Sequence, residues 1–113
     1  MGFYRLIKQR EVNRELKRMR AWKDAQRVSQ LLSLKFHFRK LYLFGSTVKK
    51  GRFNRQSDLD FVIEGLPEEF FLKAYGFLIR EADFPVDLKS WEMLEQQLRK
   101  KVRKEGVILY EKK

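Results

Sequence analysis

The chain has no cysteine. That absence excludes a disulfide scaffold and a thiolate metal site, and it fits a reducing compartment. Nor does any apolar run approach the roughly 20 residues that a membrane-spanning helix needs. The N-terminal region shows no secretory apolar segment. Leu6 stands where a myristoylation signal calls for Ser or Thr. A soluble, cytoplasmic protein without membrane association is therefore expected. Histidine is scarce: His37 stands alone between Phe36 and Phe38, a setting that favours a structural role over a catalytic one. Acidic residues are scarce in one part only. Residues 1–40 hold twelve Lys/Arg against three Asp/Glu, whereas 41–113 hold fourteen against twelve. The net charge of +11 is thus carried mostly by the N-terminal segment, which suits an anionic partner or a solvated helix face.

What is present can build a core. Hydrophobic residues make up 43% of 113 residues, with ten phenylalanines. A chain of this length forms one domain and buries about two-thirds of its unfolded surface. Residues 5–36 contain neither proline nor glycine and read as helix, or as two helices divided near Asp24 or Ser29. Val12, Leu16, Met19, Trp22, Ala25, Val28, Leu31 and Leu32 recur mostly at steps of three and four, predicting one buried stripe. Lys40–Phe44 reads as a strand, followed by a short helical turn from Ser46 to about Lys50 that Gly51 closes. A polar loop over 52–57 leads to a second strand, Asp58–Glu64.

Gly65, Leu66 and Pro67 then introduce a helix with Glu68 and Glu69 in its first turn and Phe70, Ala74, Phe77 and Leu78 as its core stripe. Phe84–Lys89 reads as a third strand, with Pro85 placing it at an edge or a strand start. Ser90 is expected to cap a helix carrying Trp91, Leu94, Leu98 and Val102. Gly106 ends that helix, and Val107–Tyr110 forms a last strand. The fold class is α/β (α+β): a small mixed sheet of about four strands flanked by helices.

The chemistry gathers between Leu41 and Glu64. Gly45 permits a sharp bend at the end of a strand. Ser46 then opens a turn whose free N–H groups and hydroxyl form an anion cradle. The next strand carries Asp58 and Asp60 on one face, their Cα atoms roughly 6–7 Å apart. Paired carboxylates at that spacing suit a divalent metal. Asp87 is a third candidate, because it interrupts a strand otherwise built for burial. Cradle and acids together could hold a metal–triphosphate complex, the requirement of a phosphoryl or nucleotidyl transfer. Three clustered carboxylates without a cation would resist ionising. Lys49, Lys50, Arg52 and Arg55 lie in the intervening loop, where they could meet phosphates or an acceptor.

Gly45-Ser46, Gly51, Asp58-Leu59-Asp60 and Asp87 resemble the minimal nucleotidyltransferases of the DNA polymerase β-like superfamily, over roughly residues 25–112. The flanking residues Leu41–Ser46, Ser57–Phe61 and Pro85–Leu88 match as well. Eleven residues, Thr47 to Ser57, separate the serine from the first aspartate, slightly longer than the family's usual spacing; a surface loop tolerates this. The resemblance implies that Gly45 and Ser46 bind the triphosphate. It further implies that Asp58, Asp60 and Asp87 ligate two Mg²⁺ ions, and that Asp87 takes the acceptor's proton. ATP or another NTP would be the substrate.

Many such proteins pair with a helical HEPN-type RNase toxin, and some silence it by transferring AMP to a tyrosine. Residues 1–24 have no counterpart in the pattern and form a basic helical extension to a catalytic domain at 25–113. Two alternatives share the sequence: transfer to an RNA end, such as that of tRNA, held by the basic segment, and a non-catalytic partner-binding module.

Overall fold

The computed structural model describes residues 2–54 and 57–113. Arg55, one of the expected loop cations, lies outside the described residues. Helix α1 spans Gly2–Lys35 and is followed by strand β1 at Lys40–Phe44. A 3₁₀ turn covers Gly45–Val48, and β2 runs over Leu59–Glu64. After a second 3₁₀ turn at Glu68–Phe70, α2 covers Phe71–Glu81. Strand β3 is Val86–Ser90, a third 3₁₀ turn is Trp91–Met93, α3 is Gln96–Glu105 and β4 is Val107–Glu111.

The sheet has the order β3-β2-β1-β4. Strand β1 is antiparallel to both β2 and β4, while β2 and β3 run parallel. The sheet is therefore mixed and four-stranded, with helices on both faces, and β3 is an edge strand as Pro85 implied. Alternation along the strands sends Leu41, Leu43, Leu59, Phe61, Ile63 and Leu88 to one face. There they bury against Ala21, Ala25, Val28 and Leu32 of α1 and Ala74, Phe77 and Leu78 of α2. Tyr42 and Val62 point the other way and pack with Trp91 and with Val102 of α3. Tyr42 and Trp91 stack at 5.3 Å between ring centroids, a geometry that adds about 0.5–1.5 kcal/mol to their burial.

Four expectations require correction. The α1 stripe does not run the length of the helix. It holds from Ala21 to Leu32, whereas Val12, Leu16 and Met19 are exposed, because they fall on the side of α1 opposite Ala21, Ala25 and Val28 and the N-terminal half of the helix extends past the sheet. The helix is also continuous through Asp24 and Ser29. Phe70 is exposed as well, since it ends the 3₁₀ turn before α2 begins. Finally, Ser90 closes β3 rather than capping a long helix, and its hydroxyl bonds to Glu92. The apolar steps at Trp91, Leu94, Leu98 and Val102 are divided between a 3₁₀ turn and α3.

Candidate active site

Two register facts assemble the site. Phe44, the last residue of β1, pairs with Asp60, and Asp60 pairs with Asp87 across the parallel β2–β3 ladder. Directly paired residues share a face of a sheet, so both carboxylates lie on the side away from α1 and α2. Asp58 precedes β2 by one residue and acts electrostatically on Asp60, as does Asp87. Gly45 follows β1 immediately and has φ +83°, a conformation that favours glycine. A Cβ there would meet the Asp60 Oδ2 at 2.5 Å. The bend and the acids therefore open into one space.

Burial, aided by the charges of Asp87 and Asp58, raises the Asp60 carboxyl from an ordinary 3.8 to about 6, with Lys89 opposing the rise. This is the behaviour of a carboxylate held where its charge is poorly solvated. Lys89 supplies the nearest cation. It lies two residues after Asp87, on the same face of the same strand, and its Nζ pairs with Asp87 Oδ2. That hydrogen bond, with the charges of Asp87 and Asp60 behind it, raises the Lys89 ammonium above its ordinary value. The Tyr75 hydroxyl lies 3.3 Å from both Asp87 Oδ1 and the Val86 carbonyl oxygen, so its proton can serve either.

Three hard carboxylates in the order Asp58, Asp60, Asp87 are the donor chemistry that a divalent cation takes, and the glycine leaves room beside them. Among the described residues, however, no three His, Cys, Asp or Glu side chains are gathered closely enough to enclose an ion. With Lys89 on Asp87, the acid set is only partly assembled.

Supports for the site come from α1, and the sequence pattern alone did not reveal them. Arg18 donates to the Thr47 carbonyl at 2.8 Å, and the Gly51 N–H donates to Glu15 at 2.9 Å. Arg18 and Glu15 also pair with each other at 3.0 Å. The Gly51 hydrogen bond, followed by Arg18, holds the Glu15 carboxyl below its usual range. These contacts clamp the turn that follows Gly45. Lys49 is tied to Glu105 of α3 at 2.9 Å, so this loop cation is already engaged. Asp24 is buried in α1 and accepts the backbone N–H groups of Asp83 and Phe84 at 2.7 and 3.2 Å. It thereby fixes the entry to β3 and the height of Asp87. Asp83 has an exposed side chain and belongs to this entry turn. The helical spacing of Glu15 and Arg18, and the alternate spacing of Asp87 and Lys89, were the available signals; neither names a partner.

Comparison with known proteins adds independent findings. A family model described as polymerase beta, nucleotidyltransferase matches residues 26–113. No curated protein matches the sequence. Solved structures share the fold. A chain of the MntA-HepT toxin–antitoxin crystal structure superposes with a TM-score of 0.60 at 20% identity, covering 80% of this chain and 73% of that one. A toxin–antitoxin structure with AMP-PNP gives 0.62 at 22% identity, covering 80% and 74%. A structure of a tri-AMPylated Shewanella oneidensis HEPN toxin in complex with MNT antitoxin gives 0.60 at 20% identity, covering 81% and 73%.

Proposed function

The chain belongs to the polymerase beta nucleotidyltransferase family, and on that premise we propose that it transfers AMP from ATP to a hydroxyl of a partner protein. The reading names that partner as a HEPN-type toxin, with this chain as its antitoxin. The observation that carries the chemistry is the register pairing of Asp60 with Asp87 beside the Gly45 bend. The resemblance to solved toxin–antitoxin complexes, one with AMP-PNP and one with a tri-AMPylated toxin, supports the choice of nucleotide and acceptor. Residues 25–113 carry this activity, and residues 1–24 extend that domain, with Glu15 and Arg18 bracing the turn after Gly45.

In the reaction, the acceptor oxygen forms a bond to the α-phosphorus, the bond to pyrophosphate breaks, and the hydroxyl proton leaves. Gly45 and Ser46 hold the triphosphate through backbone N–H groups and the serine hydroxyl. Asp58, Asp60 and Asp87 would hold Mg²⁺, which supplies neutralisation of the phosphate charge. Asp87 takes the acceptor's proton. Lys89 and Tyr75 orient Asp87, and the Arg18–Thr47 bond keeps the cradle in place.

The direct test incubates the protein with Mg²⁺, α-labelled ATP and either a HEPN-type protein or total tRNA. Label is expected on the protein, and the Asp58→Asn/Asp60→Asn double variant should fold yet transfer none. Undiminished transfer by that variant would overturn the site; label on tRNA would overturn the acceptor.

A further inference from the structure

The N-terminal half of α1 has almost no contact with the rest of the molecule. From Gly2 to Arg20 each residue is exposed, except that Glu15 and Arg18 are partly covered where they clamp the turn. Nineteen residues of helix at 1.5 Å each make an arm of about 28 Å. The radius of gyration of 15.5 Å exceeds the ~13 Å expected for a compact chain of this length, as a projecting arm requires. Most helical stability in proteins comes from tertiary packing of an apolar face, which this half of α1 lacks. The helix has no acidic residue in its first turn to offset the helix dipole. A partner that covers the arm would supply what the fold does not.

The surface of the arm specifies that partner. Phe3, Ile7, Leu16 and Met19 are 78%, 43%, 52% and 53% exposed. On the helix, Phe3 and Ile7 prolong the line of Ala21, Ala25 and Val28, while Val12, Leu16 and Met19 lie roughly 170° around. A membrane surface buries one face of a helix and selects strong amphipathicity. Apolar residues on opposite sides instead fit a groove with two walls. Nucleic acid is bound mainly through its phosphates and by stacking on aromatic rings, which gives little use to aliphatic side chains on two opposite sides of a helix.

Seven Lys/Arg against two Glu over residues 2–20 disfavour a second copy of the same arm and call for acidic walls. The charge continues inward: Lys17, Arg20, Lys23 and Arg27 line a groove of about 490 Å³ with Phe84 and Asp83. Arg27 is engaged by Asp24 and the Glu81 carbonyl. Lys17, Arg20 and Lys23 have no ion-pair partner among the described residues.

We infer that residues 2–20 of α1, with Lys23 at their base, form a docking arm that inserts into an acidic, apolar-walled groove of the protein acceptor, holding that acceptor's hydroxyl at the site. The arm is rooted in the clamp on the Gly45–Val48 turn, so its orientation is coupled to the nucleotide cradle. The inference rests on the reading that the acceptor is a protein.

The chain is mixed with a HEPN-type protein, and binding is measured by titration calorimetry and gel filtration. Two variants are compared, Ile7→Ser/Leu16→Ser and the helix-compatible Arg20→Glu/Lys23→Glu. Each is expected to weaken the complex by about tenfold or more while binding of a fluorescent ATP analogue stays unchanged. Unchanged affinity in both variants overturns the arm. So does arm-dependent binding to a short RNA duplex, to phosphatidylserine vesicles or to a second copy in place of the protein. Label transfer separates the two readings. If the variants bind and are active as wild type, the arm fails and the function stands. If wild type binds through the arm without labelling its partner, the function fails and the arm stands.

Discussion

The Asp60 Oδ2 lies 2.5 Å from the position a Cβ would take on Gly45. One residue's lack of a side chain and another's carboxylate thus occupy neighbouring parts of the same space. A Gly45→Ala substitution would both displace that carboxylate and force a non-glycine residue to φ +83°. The backbone strain alone is worth about 1–2 kcal/mol. The variant should melt at a lower temperature and lose most of its nucleotidyl transfer. A variant with wild-type transfer would mean that the position of Asp60 does not matter.

Asp60 should make stability fall as pH rises. Its carboxyl titrates near 6 in the folded chain against an ordinary 3.8. Between these values the folded state keeps a proton that the unfolded state has released, so the folded state is progressively disfavoured. Below about pH 4 the effect is absent, and above about 6 it is complete. Asp60→Asn should therefore raise stability at neutral pH by about 1–2 kcal/mol, after allowance for partial solvent exposure. The gain should vanish toward pH 4. Denaturant unfolding across this range, without divalent ions, would show it; a pH-independent difference would contradict the assignment.

Lys89 competes for the acid cluster. Its ammonium pairs with Asp87 and lowers the Asp60 carboxyl. Lys89→Gln should weaken the metal-free protein by about 0.5–1.5 kcal/mol, since the pair is partly exposed. Millimolar MgCl₂ should then raise the melting temperature more in the variant than in wild type, because the ion no longer displaces an ammonium. Equal shifts in the two proteins would rule the competition out.

Asp24 is the structural counterpart. It accepts two backbone N–H groups at the β3 entry and pairs with Arg27 at 2.7 Å. Asp24→Ala strands buried donors, for which a loss of about 2–4 kcal/mol is expected. Hydrogen exchange at Asp83 and Phe84 should accelerate more than exchange in β1. Uniform acceleration would point to general destabilisation instead.

Some of this protein follows from neighbouring residues alone. The strand Lys40–Phe44 was legible to the residue, because alternation and the following Gly45 are local signals. The common face expected of Asp58 and Asp60 rests on two-residue periodicity, and Pro85 stands at the entry to β3 because it lacks an N–H. The placement of Asp87 beside Asp60 needed the parallel register. The same is true of Lys89 and Tyr75 as its companions, and of Arg18 and Glu15 as clamps on a turn some thirty residues away. The failure at α1 has the same root. Steps of three and four drift around a long helix, so Val12, Leu16 and Met19 end opposite Ala21 and Ala25, and spacing does not say how far a four-stranded sheet reaches beneath the helix. Local chain chemistry decided the elements and the acids. Long-range packing decided which charges meet, and which half of the first helix remains uncovered.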